Sequence, residues 1–281
     1  MRPLSMNDTL NREVLVAGSR LSWIGSDGVY SLSTQYPLLS GTNYAFPFHT
    51  GDRWLANNGQ TLAWISNFST VTSYVLGVAT DVATDTQPSS VVVDGTDVYW
   101  RNAAGELRSV PIGGGTVTTL TSGQDAGPYT RALVQSGARL YWTNPTAGTI
   151  ATMVKGSDAG APQTLFSGET NPGTLATDGT NLYWTGSGGI RKGAIGGGTA
   201  VTIATNVVVA ALASDGTNVY FVDLPNGVSR VPVGGGNVSV LVDAVTYGQY
   251  DSYGIAVDGT SVYWTLYNTG LVPSVLSVTP K

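Results

Sequence analysis

The stretch from Asp258 to Trp264, Asp-Gly-Thr-Ser-Val-Tyr-Trp, recurs along the whole chain, and its interval limits the fold more than any other feature. Close copies run from Asp94 to Trp100, Asp178 to Trp184 and Asp215 to Phe221. Looser ones end at Trp142, Trp64 and Trp23. The anchor aromatics are therefore Trp23, Trp64, Trp100, Trp142, Trp184, Phe221 and Trp264, separated by 41, 36, 42, 42, 37 and 43 residues. Copies at this spacing account for nearly all 281 residues, so residues 1–281 read as one domain.

Each copy reads as strands. In the third, Ser90 to Val93 is a β-branched run, and Asp94-Gly95-Thr96 is a turn in which Gly95 is expected to supply positive φ. Val98 to Trp100 is the next strand, Leu107 to Ile112 the third and Thr116 to Leu120 the fourth, with a Gly113-Gly114-Gly115 turn between the last two. The fifth and sixth copies repeat this order with turns at Gly196-Gly197-Gly198 and Gly234-Gly235-Gly236. No stretch keeps a 3.6-residue apolar period. A four-stranded unit repeated about every 40 residues is the signature of a propeller blade. The expected fold is all-β, a seven-bladed β-propeller with four-stranded antiparallel blades. The last copy stops level with the third strand of the others, and Arg2 to Ser5 stands where an outer strand precedes a blade. The N-terminal strand is thus expected to complete the last blade and close the ring.

The pattern Asp-Gly-Thr-x-Val-Tyr-Trp-Thr followed by a glycine-triplet turn resembles the bacterial repeat propellers akin to the YWTD and NHL types. The resemblance covers essentially the whole chain and implies a propeller used mostly for binding and scaffolding. The fourth letter of YWTD is Asn144, Gly186 or Leu266 here, so that aspartate's role does not carry over. The copy number, seven, also exceeds the six blades usual in the YWTD type.

Composition removes several functions. Thirteen basic residues against 18 acidic ones give a net charge of −5, too little basic material for an extensive nucleic-acid or anionic-membrane surface. The absence of cysteine excludes thiolate metal sites, disulfides and thiol nucleophiles. No apolar run reaches the length of a membrane helix. The Asp-Gly turns lack the dense acids of a calcium loop, and the glycine triplets lack the lysine and helix of a phosphate loop, so no cofactor or metal is expected. His49, the only histidine, limits any Ser-His-Asp triad to one candidate base in a loop. Low lysine with abundant Thr, Ser, Gly and Asn leans toward an extracellular or periplasmic location. The first residues hold no signal-type apolar core, and a cytoplasmic location stays open.

The repeat also serves as a ruler. Eleven residues before each anchor aromatic, where the innermost strand opens at the channel mouth, stand Arg12, Arg53, Ser89, Arg131, Gly173, Ala210 and Tyr253. Three guanidinium groups at one level of a ring are either neutralised by neighbours such as Glu13, Asp52 and Asp251 or hold an anion bidentately. Trp54, the one tryptophan outside the repeat register, either stacks on a ligand with Tyr250 and Tyr253 or plugs the channel. The candidate ligand-binding set is Arg12, Arg53, Trp54, Arg131, Tyr250 and Tyr253. The loop after the second strand differs in every copy, as a recognition surface would. The expected function is a non-enzymatic, monomeric propeller that binds a protein or a small anionic or carbohydrate ligand. Two alternatives remain: a lyase or hydrolase with its site at the channel mouth, and a structural subunit of a larger assembly.

Overall fold

In the computed structural model the described residues are 2–3, 13–17, 20–24, 29–33, 53–125, 132–156, 160–224, 226–243, 254–266, 274–279 and 281. They form only strands and connections. The first sheet contains β2 (Glu13–Ala17), β3 (Arg20–Ile24) and β4 (Val29–Ser33). The next is built from β5 (Arg53–Asn57), β6 (Leu62–Ser66), β7 (Thr70–Val75) and β8 (Val78–Thr84). Then come β9 (Ser89–Val93), β10 (Asp97–Arg101), β11 (Leu107–Pro111) and β12 (Thr118–Thr121), followed by β13 (Leu133–Ser136), β14 (Arg139–Asn144), β15 (Thr149–Val154) and β16 (Gln163–Ser167). A further blade holds β17 (Leu175–Thr177), β18 (Asn181–Gly186), β19 (Gly189–Ala194) and β20 (Val201–Thr205). After it stand β21 (Val209–Ser214), β22 (Asn218–Asp223), β23 (Gly227–Pro232) and β24 (Ser239–Asp243). The last sheet has β25 (Ile255–Val257), β26 (Val262–Leu266), β27 (Ser274–Val278) and, from the other end of the chain, β1 (Arg2–Pro3). β1 pairs antiparallel with β27, Arg2 opposite Ser277 and Pro3 opposite Leu276.

The expected count of seven four-stranded blades is corrected: the propeller has six four-stranded antiparallel blades, and the sheet β2–β3–β4 is three-stranded among the described residues. The count was read from the anchor aromatics, and each of these marks the second strand of a sheet without marking a fourth: Trp23 lies in β3 as Trp100 lies in β10.

The anchor aromatics hold neighbouring sheets together. Trp100 packs with Val71 and Val82 of the preceding blade, and Trp142 with Tyr99 and Leu107. Trp184 packs with Tyr141, Ile150 and Phe166, Phe221 with Tyr183 and Ile190, and Trp264 with Tyr220 and Val228. Trp23 packs with Ala256, Tyr263 and Val275 of the last sheet, which closes the ring. Trp100, Trp142, Trp184 and Phe221 are fully buried. A ring of this kind removes about 150–250 Å² from water, worth about 4–6 kcal/mol before entropy is counted.

Candidate functional site

Antiparallel order gives the propeller two unlike faces. One carries the turns between first and second strands, where the repeated motif lies. The other carries the loops between second and third strands and the connections from each outer strand to the next inner one.

On the motif face each aspartate acts as a clamp. Asp178 Oδ1 accepts the N–H groups of Thr180 (2.8 Å) and Asn181 (2.7 Å), while Oδ2 accepts the Tyr183 hydroxyl at 2.7 Å. Asp94, Asp215 and Asp258 repeat this with Tyr99, Tyr220 and Tyr263 at 3.1, 3.0 and 2.8 Å. The carboxylate therefore fixes the turn. Gly179 and Gly216 have positive φ (86° and 82°), but Gly95 does not, contrary to expectation; the aspartate clamp holds the turn N–H groups in both glycine conformations.

Two clamps receive a lysine from the following sheet. Lys155 Nζ lies 2.9 Å from Asp94 Oδ2, and Lys281 Nζ lies 2.6 Å from Asp215 Oδ2. Burial pushes the pKa of both aspartates up, but the turn N–H groups and the ammonium outweigh it and hold each at about 2. Asp178 and Asp258 are also lowered, burial again being opposed, by Tyr183 and turn N–H groups for one and by the Thr260 N–H and Tyr263 for the other. Burial and Asp258 push Tyr263 up to about 12. These tyrosines stay protonated donors at any physiological pH.

On the opposite face the described polar clusters differ from sheet to sheet. Trp100 Nε1 donates to Asp85 (2.7 Å), which also accepts Asn102 and pairs with Arg108 at 3.3 Å, with Glu106 2.6 Å from the same guanidinium. In the next blade Trp142 Nε1 donates to Gln124 at 3.0 Å, and Asp125 Oδ2 accepts the N–H groups of Thr146 and Ala147 at 2.6 and 2.9 Å. Trp184 Nε1 donates to Glu169 at 2.8 Å, and Arg191 grips that carboxylate with two nitrogens, each at 3.0 Å. Where Phe221 replaces tryptophan, Asn206 stands fifteen residues upstream, in the place of Asp85 and Glu169. The buried indole N–H groups of Trp100, Trp142 and Trp184 each take an acceptor from the preceding connection, and phenylalanine needs none.

Of the expected site residues, Arg12, Arg131, Tyr250 and Tyr253 lie outside the described residues, as do His49, Asp52 and Asp251. Arg53 begins β5, opposite Ile65. Trp54 has φ of +56° at the bulge between Arg53 and Leu55, and its half-buried ring packs on the cluster of Ala56, Val91 and Trp100. Ser90, its equivalent one blade on, also has positive φ (51°).

Sequence reasoning missed Arg101. Fully buried beside the anchor Trp100, it donates through Nη1 to the Thr143 carbonyl at 2.9 Å and through Nη2 to the Asp125 carbonyl. Burial lowers its pKa to about 10, with Asp125 acting in the opposite sense, so it remains a cation that ties two blades together. Thr143 stands one blade on in the same register and donates to the Gly173 carbonyl at 3.0 Å. A signal was present: Arg101 breaks a register otherwise held by Ile24, Ile65, Thr143, Thr185, Val222 and Thr265.

No group of three or more metal-ligating side chains occurs among the described residues, and these contain no helix long and apolar enough to cross a membrane. No family model and no curated protein matches the chain. Solved structures do. A catalytically inactive variant of virginiamycin B lyase from Staphylococcus aureus with quinupristin is 14% identical, with a TM-score of 0.76 over 99% of this chain and 98% of that one. YCF48 bound to D1 peptide is 13% identical, with a TM-score of 0.65 over 100% and 96%. The nidogen/laminin complex, with a propeller of the YWTD type, is 19% identical, with a TM-score of 0.57 over 76% and 87%. Fold and likeness together define this chain as a β-propeller.

Proposed function

We propose that the chain is a non-enzymatic binding propeller that takes its ligand or protein partner on the variable face, at and around the channel mouth. The observation that carries this reading is the contrast between the faces. On the motif face the carboxylates and tyrosines repeat and bond to one another. On the other, four blades present four different polar clusters on the same frame: Asp85–Arg108, Gln124–Asp125, Glu169–Arg191 and Asp223–Asn226. A frame of that kind supports recognition of one partner by unlike loops. The solved propellers with D1 peptide and in the nidogen/laminin complex support a protein or peptide partner by analogy of fold.

Arg12, Arg53 and Arg131 are the proposed anion-holding groups, with Trp54, Tyr250 and Tyr253 as aromatic neighbours. The proposed molecule is an exported monomer, extracellular or periplasmic. Wild type, Arg131→Ala and Trp54→Ala should be compared on a glycan array and against a panel of carboxylates and phosphate. Loss of a wild-type ligand by either variant supports the site, and equal binding by all three removes it. A second reading, a lyase, is favoured by the fold shared with virginiamycin B lyase over nearly the full chain. Incubation with quinupristin separates the two, since a cleaved product would replace the binding reading with an enzymatic one.

A further inference from the structure

Asparagine followed by glycine occurs twice, at Asn58-Gly59 and Asn226-Gly227, and the structure holds the two asparagine side chains differently. Asn58 is locked. Its Oδ1 accepts the N–H groups of Gln60 (2.9 Å) and Thr61 (2.7 Å), and its Nδ2 donates to the Asp94 carbonyl at 2.6 Å. The Gly59 nitrogen is held as well, donating to Asn57 Oδ1 at 2.7 Å. Asn226 is exposed in the turn between β22 and β23, and the bond that holds its side chain is Nδ2 to Asp223 Oδ2 at 2.9 Å.

We propose that Asn226 is a site of spontaneous deamidation, and that its conversion loosens the variable face as the protein ages. Gly227 opens β23 opposite Asp223, so the first step follows fraying of that end pair: the freed Gly227 nitrogen loses its proton to solvent and attacks Cγ of Asn226. A C–N bond forms, the Cγ–Nδ2 bond breaks, and the amide leaves as ammonia after taking a proton from water. Water then opens the five-membered imide at either carbonyl, leaving aspartate or isoaspartate. Glycine favours ring closure because it has no Cβ to crowd the attacking nitrogen.

The product matters because of its neighbour. Asp223 is buried, and its Oδ1 accepts the Val208 N–H at 3.2 Å, which ties this loop to the connection entering the blade. Deamidation removes the Asn226 donor and sets a second carboxylate beside the first. Two such charges repel, and the cheapest relief is for the loop to swing away from Val208.

The test is peptide mapping by mass spectrometry of the folded chain held in mildly alkaline buffer, with a urea-unfolded sample as reference. In urea the two asparagines should convert at similar rates. In the folded chain Asn58, held by two more side-chain hydrogen bonds than Asn226, should lag by about thirtyfold. Equal rates in the folded chain, or an Asn226 as slow as Asn58, would overturn the proposal. Asn226→Gln should show no conversion at 226, because the ring it would form is larger and closes slowly. Asn226→Asp, made directly, should speed amide hydrogen exchange at Val208 and Leu224, and unchanged exchange there would overturn the loosening.

Discussion

Removing one hydroxyl from the motif tests whether the Asp–Tyr clamp is a structural bond. Tyr183→Phe leaves the ring and its packing in place and deletes only the donor to Asp178, 2.7 Å away. A hydrogen bond to a charged acceptor contributes about 1.5–3 kcal/mol, and the half-exposed position of Asp178 favours the lower part of that range. We expect a loss of about 2 kcal/mol, which is a fall of about 4 °C in Tm for a chain of this size. Asp178→Ala should cost more, because it also frees two turn N–H groups and orphans a buried hydroxyl. The double variant should lose less than the two singles added together, by about 1–2 kcal/mol of coupling. The pH dependence has a definite sign. Asp178 has a lowered folded pKa, so its ionic contribution is full above the unfolded carboxylate value of about 3.9 and declines as pH falls through the folded value. The difference between wild type and Tyr183→Phe in urea titrations should therefore be larger at neutral pH than near pH 3. An unchanged Tm at neutral pH, or strictly additive singles, would refute the clamp.

Other outcomes follow from single contacts. Lys281→Met should raise the pKa of Asp215 from about 2, read by NMR titration, and the accompanying stability loss at neutral pH should shrink as salt is added. Ser229→Ala should be neutral or raise stability by about 1 kcal/mol in urea unfolding, because that buried hydroxyl has no hydrogen-bond partner. Gly193→Ala should destabilise by about 1–3 kcal/mol, since an added Cβ would lie 2.3 Å from the Phe166 ring that packs on Trp184. Deleting residues 1–5 should lower Tm by several degrees, because it removes the strand that pairs with β27, and an unchanged Tm would refute that role.

Much of the fold was legible because a propeller repeats its own evidence. An aromatic every 40 residues or so, a β-branched run before it and a glycine turn after it are local signals, and several copies confirm one another. The count of complete blades was less legible, because an anchor aromatic marks a sheet and not its fourth strand. The Asp–Tyr clamp was half visible. Aspartate and tyrosine stand five residues apart in each close copy, but the sequence shows a turn and a buried ring without showing that they meet. Lys155 and Asp94 are 61 residues apart, and only the packing of one blade on the next joins them. A register signal existed here as well, since Lys155 and Lys281 occupy the position held by Ile112, Ile195 and Val233. Comparing registers finds such breaks but does not say which neighbour each one meets.

The sequence alone thus determined an all-β repeat of antiparallel strands with its rings inside, because strand period, turn chemistry and side-chain volume act over a few residues. Tertiary structure decided that aspartates first read as turn formers clamp tyrosines, that lysines staple blade to blade, and that Arg101 is buried across a seam. Those contacts depend on where twisted sheets approach one another, and that approach is a property of the closed ring rather than of any one repeat.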